Sequence, residues 1–187
     1  MGFMPTPAAN TDGRAGYVLV MGVSGAGKST IGRALAVRTG GSFIEADDLH
    51  PAENIRRMSE REPLTDADRW PWLKAISESA LAEMKESGGP VIIACSALKR
   101  SYRDVLRQAL SPLSIVHLSG PVDLIRARLE ERPTHFMPIE LLDSQIETLE
   151  APDEHEGVSF SIEDSEAHIV AGALQAIGLP HRGVREA

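Results

Sequence analysis

The sequence lacks the features that mark secreted and membrane-bound proteins. Its 187 residues include a single cysteine, Cys95, which excludes an internal disulfide and fits a reducing compartment. No apolar run approaches the roughly 20 residues that span a bilayer. The N-terminus has neither the basic nor the apolar region of a secretory signal. We therefore expect a soluble protein of the cytoplasm with no membrane partner.

Positive charge is also scarce. The chain carries 19 Lys and Arg residues against 27 Asp and Glu residues, which gives a formal net charge of −8. Because a surface of this sign repels a phosphate backbone, we expect no nucleic acid partner. Neither His50 nor His135 has a metal-ligand spacing to another histidine or to the cysteine, so no metal site is predicted from the histidines.

A glycine-rich loop between a strand and a helix is the strongest motif that the sequence contains. Residues 22–29 follow the pattern Gly-x-x-x-x-Gly-Lys-Ser, directly after the apolar run Tyr17–Met21. Successive backbone N–H groups can wrap a phosphate chain only where side chains do not intrude, and Gly22, Gly25 and Gly27 remove them. The pattern predicts a nucleoside triphosphate site. The alternative is a glycine-rich turn that only caps a helix.

The polar residues of this loop have predicted tasks. Lys28 supplies a point charge for the β- and γ-phosphates, and the Ser29 hydroxyl is a ligand for the Mg²⁺ that accompanies the nucleotide. The predicted nucleotide-binding residues of the loop are Gly22, Val23, Ser24, Gly25, Ala26, Gly27, Lys28, Ser29 and Thr30.

Short apolar runs alternate with helical patterns along the rest of the chain. The predicted strands are 17–21, 42–45, 91–95, 114–118 and 158–162. This alternation predicts an α/β fold, a three-layer sandwich with a five-stranded parallel sheet. We expect one domain at 17–178, preceded by a disordered leader at 1–16 and followed by a tail at 179–187.

Polar residues are expected at the carboxyl edge of this sheet, where open α/β proteins bind ligands. Asp47 follows the second strand, so it could accept a hydrogen bond from an acceptor hydroxyl or act as a general base. The alternative is a cap for the following turn.

Two basic pairs are expected near the same edge, Lys99 with Arg103 and Arg128 with Arg132, each four residues apart on a predicted helix. The first pair, with Tyr102 beside it, suits an anionic substrate such as a carboxylate. The second could reach the transferred phosphoryl group. The alternative for both pairs is a solvated helix face balanced by neighbouring acidic residues.

Six segments together carry a specific signature: Met21–Ser29, Asp47–Ile55, Pro63–Arg69, Trp72–Leu73, Cys95–Arg103 and His135–Met137. Over about residues 17–178 the chain resembles the short gluconate kinases, phosphate-loop enzymes that use ATP to phosphorylate D-gluconate at its 6-hydroxyl. The resemblance implies a nucleoside-monophosphate-kinase-like fold with sheet order 2-3-1-4-5, ATP and Mg²⁺ as cofactors, and a homodimer.

The resemblance also implies residue roles. Asp47 would orient the attacking hydroxyl, and Arg103 with Lys99 would hold the carboxylate and polyol. Arg128 and Arg132 would act as arginines of a lid at about 128–140. The implied substrate-binding residues are Asp47, His50, Arg57, Lys99, Tyr102, Arg103 and His135. The implied adenine loop is Gln145–Asp153, which includes Pro152.

The sequence departs from the family pattern in the lid, where Pro133-Thr134 replaces a basic residue and a glycine and would stiffen the segment. Two other functions stay open at this point. The same chemistry could act on shikimate, adenylylsulfate or a nucleoside monophosphate, or the protein could bind ATP without transferring phosphate. The region from Asp47 to Asn54 and the Lys99/Arg103 pair favour a sugar acid.

Overall fold

The computed structural model describes residues 16–131 and 141–179. Its strands form one parallel sheet in the order β2-β3-β1-β4-β5, which confirms the predicted sheet and strand order. The strands are β1 (Tyr17–Met21), β2 (Ser42–Glu45), β3 (Val91–Ala94), β4 (Leu113–Ser119) and β5 (Val158–Ser161).

Helices connect the strands and cover the sheet. They are α1 (Lys28–Thr39), α2 (Ala52–Ser59), α3 (Asp66–Ser87), α4 (Arg100–Ala109), α5 (Val122–Glu130), α6 (Leu141–Thr148) and α7 (Glu166–Ile177). A single turn of 3₁₀ helix, Ala46–Leu49, follows β2. None of the helices in the described ranges has the length and apolar character needed to cross a bilayer.

The core lies on both faces of the sheet because the central strand is apolar on both. Val18 and Val20 of β1 pack in a cluster with α1 and α7, whereas Leu19 and Met21 pack in a second cluster with α3 and α4. Alternate residues of a strand point to opposite faces, so an uninterrupted apolar run is what a doubly covered strand requires. Cys95 is fully buried in the second cluster, and burial raises the pKa of its thiol to about 12.

Local contacts set the starts of two helices. The start of α3 lies at Asp66, because Thr65 and Asp68 form a capping box. Ser96 does not start α4. The backbone of Ala97 has φ 41, and the helix begins only at Arg100 with Lys99 as its N-terminal flanking residue. Lys99 therefore lies outside the helix that carries Arg103.

Three predicted segments fall wholly or partly outside the described residues. They are the leader before residue 16, the larger part of the proposed lid at 132–140, and the tail from residue 180. Arg132, Pro133, Thr134 and His135 belong to the second of these.

Candidate active site

The glycine-rich loop connects β1 to α1 at the carboxyl edge of the sheet. Gly22 and Gly25 have φ values of 145 and 83, in the region that residues with side chains rarely adopt. A Cβ at Gly22 would lie 2.5 Å from the Leu118 carbonyl oxygen, and one at Gly25 would lie 2.9 Å from a side-chain carbon of Leu129. Both space and backbone conformation therefore require glycine at these two positions.

Two hydrogen bonds hold the loop in shape. The buried Lys28 donates from Nζ to the Val23 carbonyl oxygen at 3.1 Å, so its ammonium lies over the loop. The Ser24 backbone N–H donates to Oε1 of Gln145 on α6 at 2.7 Å. The sequence around Gln145 does not indicate this role, since its partner lies 121 positions earlier.

The loop and the turn after β2 enclose a small polar cleft, which we call the phosphate cradle. Asp47 in the 3₁₀ turn faces it from the side opposite the loop. The cradle is lined by Ser24, Gly25, Gly27, Lys28, Ser29, Thr30 and Asp47. The structure thus brings together most of the predicted loop residues and Asp47.

Glu45, at the end of β2, is a neighbour of the cradle that sequence analysis did not single out. Burial raises the pKa of its carboxyl group, while a hydrogen bond with Ser29 and the charge of Lys28 act in the opposite direction. The Ser29 hydroxyl therefore lies beside a carboxylate as well as beside the loop. Among the described residues no group of three or more His, Cys, Asp or Glu could hold a metal ion by itself.

A second, more open cleft adjoins the other side of the loop. Its walls include Gly25, Gly27 and Thr30 of the loop, Arg128 of α5, and Asp164 between β5 and α7. Arg128 donates from Nη2 to the Ile162 carbonyl oxygen at 2.9 Å, which ties α5 to the end of β5. This cleft adjoins the phosphate cradle, with which it shares Gly25, Gly27 and Thr30.

The predicted adenine loop at residues 145–153 does not line this second cleft. Its first residue, Gln145, contacts Ser24 of the glycine-rich loop, and the Glu150 N–H donates to the Leu98 carbonyl oxygen at 2.9 Å near α4. The assignment of Pro152 to ATP stays a prediction.

A third cleft, which we call the acceptor cleft, begins at the cradle and runs towards α3. It shares Ser24, Lys28 and Asp47 with the phosphate cradle. Its full lining is Ser24, Lys28, Asp47, His50, Met58, Pro63, Leu64, Arg69, Trp72, Ser96, Leu98, Leu141, Ser144 and Gln145. A substrate in this cleft would lie next to a phosphate chain in the cradle.

His50 forms one wall of the acceptor cleft. Its ring stacks on Trp72, with ring centroids 4.0 Å apart and planes 12° apart. Burial lowers the pKa of His50 to about 4; the Asp47 carboxylate opposes that shift and the Arg69 guanidinium adds to it. His50 is therefore a neutral hydrogen-bonding group near pH 7. Trp72 donates from Nε1 to the Ala46 carbonyl oxygen at 2.7 Å, which fixes the turn that carries Asp47.

The predicted pairing of Lys99 with Arg103 is wrong. Arg103 is 1% exposed, and its guanidinium contacts both carboxylate oxygens of Glu156 at 2.7 and 2.9 Å. It also donates to the carbonyl oxygens of Ala97 and Leu98 at 3.1 Å each. Although burial by itself raises the pKa of Glu156, bonds to Arg103 and Arg107 hold it below its ordinary value. Arg103 supports the wall of the cleft from behind.

Lys99 and Tyr102 face a different partner. Lys99 Nζ lies 2.7 Å from one Asp66 oxygen and 2.9 Å from the other, and the Tyr102 hydroxyl donates to the same carboxylate. Hydrogen bonds from Lys99 and Tyr102 hold the pKa of Asp66 below its ordinary value. Neither Lys99 nor Tyr102 lines the acceptor cleft.

Of the other predicted substrate residues, Arg57 forms an ion pair with Asp68 at 2.7 Å and does not line the cleft. Arg132 and His135 lie outside the described residues. Arg69 of α3 does line the cleft, although sequence analysis gave it no role. Arg69 belongs to the segment Pro63–Arg69, one of the six that carry the family resemblance, and this membership could have indicated a role for it.

The chain is similar to known proteins in sequence. Residues 18–152 match the family model described as an AAA domain. The gluconokinase of Gluconobacter oxydans is 47% identical over 142 residues, which cover 76% of this chain and 79% of that protein.

Two solved structures share both sequence and fold. A gluconokinase from Sinorhizobium meliloti is 51% identical with a TM-score of 0.76, over 87% of this chain and 91% of that one. An unliganded sugar kinase from Janibacter is 43% identical with a TM-score of 0.82, over 88% of this chain and 95% of that one. The chain therefore shares its phosphate-loop kinase fold and much of its sequence with proteins of this kind.

Proposed function

The chain belongs to the gluconokinase family, and from this membership we propose that it transfers the γ-phosphoryl group of ATP to the 6-hydroxyl of D-gluconate. The observation that carries the proposal is the meeting of two clefts. The phosphate cradle and the acceptor cleft share Ser24, Lys28 and Asp47, so a phosphate donor and an acceptor would meet at these residues.

In the proposed reaction the 6-hydroxyl oxygen forms a bond to the γ-phosphorus while the bond from that phosphorus to the β,γ-bridging oxygen breaks. The hydroxyl proton passes to Asp47, which orients the attacking oxygen. Lys28 and the backbone N–H groups of the loop stabilise the negative charge on the transferred group and on the departing ADP. Arg128, next to the cradle, would contribute further positive charge.

The residues of the cradle fit a Mg²⁺ ion. The Ser29 hydroxyl lines the cradle as an oxygen donor, and the Glu45 carboxylate lies beside Ser29. Mg²⁺ is usually held by one or two protein oxygens together with phosphate oxygens and water, which agrees with the lack of a larger acidic cluster among the described residues. When bound with ATP, Mg²⁺ would supply positive charge that offsets the negative charge of the phosphates.

Positioning accounts for most of the proposed catalysis. The Trp72 hydrogen bond to Ala46 fixes the turn that carries Asp47, and the apolar side chains of Met58, Leu64 and Leu141 border the acceptor cleft. An apolar border limits the access of water, which would otherwise compete with the 6-hydroxyl for the γ-phosphoryl group.

The test is ADP release with Mg-ATP and a panel of acceptors: D-gluconate, other aldonates, shikimate, adenylylsulfate and nucleoside monophosphates. We expect a selective response to D-gluconate and a product phosphorylated at the 6-position, identified by NMR. If ADP is released instead with shikimate, adenylylsulfate or a nucleoside monophosphate, that molecule and not D-gluconate is the acceptor. ATP binding without release for any acceptor would contradict the proposed transfer.

We also propose a cytoplasmic homodimer. The single buried cysteine supports a reducing compartment, and membership of the family supports the dimer. Light scattering on the purified protein is expected to give twice the mass of the 20.2 kDa chain. A monomer mass at micromolar concentration would contradict the dimer.

A further inference from the structure

The acceptor cleft needs a cation that can bind the carboxylate of an aldonate, and the predicted cations do not supply it. Lys99 is paired with Asp66, and Arg103 is buried against Glu156. Among the described residues that line the cleft, the cationic side chains are Lys28 and Arg69. Lys28 belongs to the phosphate cradle, which leaves Arg69 for the acceptor.

The guanidinium of Arg69 is held in place on one side. Nη1 donates to the Leu64 carbonyl oxygen and to the Tyr102 hydroxyl at 3.3 Å, and the guanidinium carbon lies 5.6 Å from the Tyr102 ring centroid. The Tyr102 hydroxyl is itself bound by Asp66, which Lys99 also contacts. The predicted substrate residues Lys99 and Tyr102 thus support Arg69 from behind.

The other side of the guanidinium retains its donors. Within the described residues, Nε and Nη2 of Arg69 donate no hydrogen bond. These two groups have the spacing that matches the two oxygens of a carboxylate, and such bidentate contacts are among the strongest hydrogen bonds in proteins. The side chain is half-buried, so a contact there would be only partly screened by water.

The cleft has a direction along which an aldonate would fit. Asp47 lies at the end that joins the cradle, whereas Arg69 lines the acceptor cleft and not the cradle. His50 is within electrostatic reach of both Asp47 and Arg69. The sequence of groups along the cleft is therefore a carboxylate near the phosphates, a neutral imidazole, and a guanidinium.

We propose that Arg69 binds the C1 carboxylate of the acceptor, so that the polyol passes His50 and the terminal hydroxyl reaches Asp47. This inference rests on the proposed function and adds the residue that selects aldonates. In this arrangement Arg69 determines which acid binds and sets the distance between the carboxylate and the reacting hydroxyl.

The test compares two acceptors that differ only in charge at C1. D-Gluconamide carries a neutral carboxamide where D-gluconate carries a carboxylate, and all hydroxyls keep their configuration. For Arg69→Met we expect kcat/KM with gluconate to fall about 10²-fold, while kcat/KM with gluconamide changes less than about threefold. The preference of the enzyme for gluconate over gluconamide would then largely disappear. Arg69→Lys is expected to retain part of the preference, since the charge remains but the bidentate geometry is lost.

A matched control is Lys74→Met, which removes an exposed positive charge from the same helix. It is expected to leave both acceptors unaffected. Calorimetry of gluconate binding in the presence of a non-hydrolysable ATP analogue gives a second readout, in which Arg69→Met weakens gluconate binding about 10²-fold and leaves nucleotide binding unchanged.

The outcomes separate this inference from the function on which it rests. If wild-type protein releases no ADP with gluconate, the proposed function fails and the inference fails with it. If wild type is active and Arg69→Met keeps the wild-type preference for gluconate, Arg69 is not the carboxylate residue. An equal loss with both acceptors would likewise overturn the inference, because it would show a general structural effect.

Discussion

The phosphate cradle and the acceptor cleft are built in different ways, although they share Asp47. The cradle is shaped by backbone, with glycines at two positions where a side chain would collide, Gly22 and Gly25. The acceptor cleft is shaped by side chains from several elements, such as His50 before α2 and Arg69 on α3. The residues of a site built from backbone stand in one continuous motif. Which residues line a site built from side chains depends on which distant residues pair with each other.

The largest expected effect lies in the cradle. Lys28→Ala removes the charge that the loop places beside the phosphates, so we expect turnover with gluconate to fall at least about 10³-fold. The fold should survive, because Lys28 bonds only to the Val23 carbonyl within the loop. Coupled ADP release and far-UV circular dichroism check the two parts. Undiminished activity of the variant would show that the loop does not bind the transferred phosphates.

The next effect concerns the residue behind the acceptor cleft. Arg103→Met leaves Glu156 buried with only the 3.3 Å contact to Arg107, so we expect the free energy of unfolding to fall by about 3 kcal/mol. In the folded protein, KM for gluconate should change little. Urea unfolding and steady-state kinetics measure these quantities, with the more exposed Arg107→Met as the milder control. A stable variant with a strongly raised KM for gluconate would indicate that Arg103 contacts the substrate after all.

Asp47→Asn tests the residue at which the two sites meet. Loss of the carboxylate removes the proton acceptor, and we expect kcat to fall by about 10²-fold with little change in KM for ATP. The neighbouring Asp48→Asn is a matched control, since Asp48 is exposed and lines none of the three clefts. Unchanged kinetics for Asp47→Asn would reduce this residue to a cap of the turn.

The last effect is confined to acid pH and concerns the neutral His50. Its imidazole takes up a proton near pH 6.5 in the unfolded chain but only near pH 4 in the folded protein. Between these values the unfolded state binds more protons, so the free energy of unfolding falls as pH is lowered through this window, by at most about 1.4 kcal/mol per pH unit. Stability above pH 6.5 is unaffected by this group.

The measurement is urea unfolding at several pH values between 4 and 7 for wild type and His50→Gln. The variant is expected to show a shallower slope. The pKa of His117 is also lowered by burial, but His117 is present in both proteins and cancels in the difference. Identical slopes would mean that His50 is more solvated than its stack on Trp72 indicates.

The contrast between the sites also explains what the sequence could predict. The parallel sheet and the cradle followed from apolar runs and from a motif whose parts are adjacent in the chain, whereas the strand order was implied by the resemblance to gluconate kinases. The Lys99/Arg103 pair was wrong because a left-handed backbone at Ala97 delays α4, which no propensity signals. Arg103 was misassigned because its partner, Glu156, lies 53 residues away. The predicted adenine loop, Gln145–Asp153, lies before β5 and lines none of the second cleft, so its role stays a prediction.

The hydrogen bond between the Ser24 amide and Gln145 gives the phosphate loop a partner 121 residues away. Gln145 and Ser144 also line the acceptor cleft, so a molecule bound there touches the helix that holds the loop. Binding energies linked through one contact are reciprocal: if an occupied acceptor cleft changes the affinity for nucleotide, nucleotide changes the affinity for the acceptor by the same factor. The affinity of each site would then depend on the link between Ser24 and Gln145 as well as on the residues that line that site.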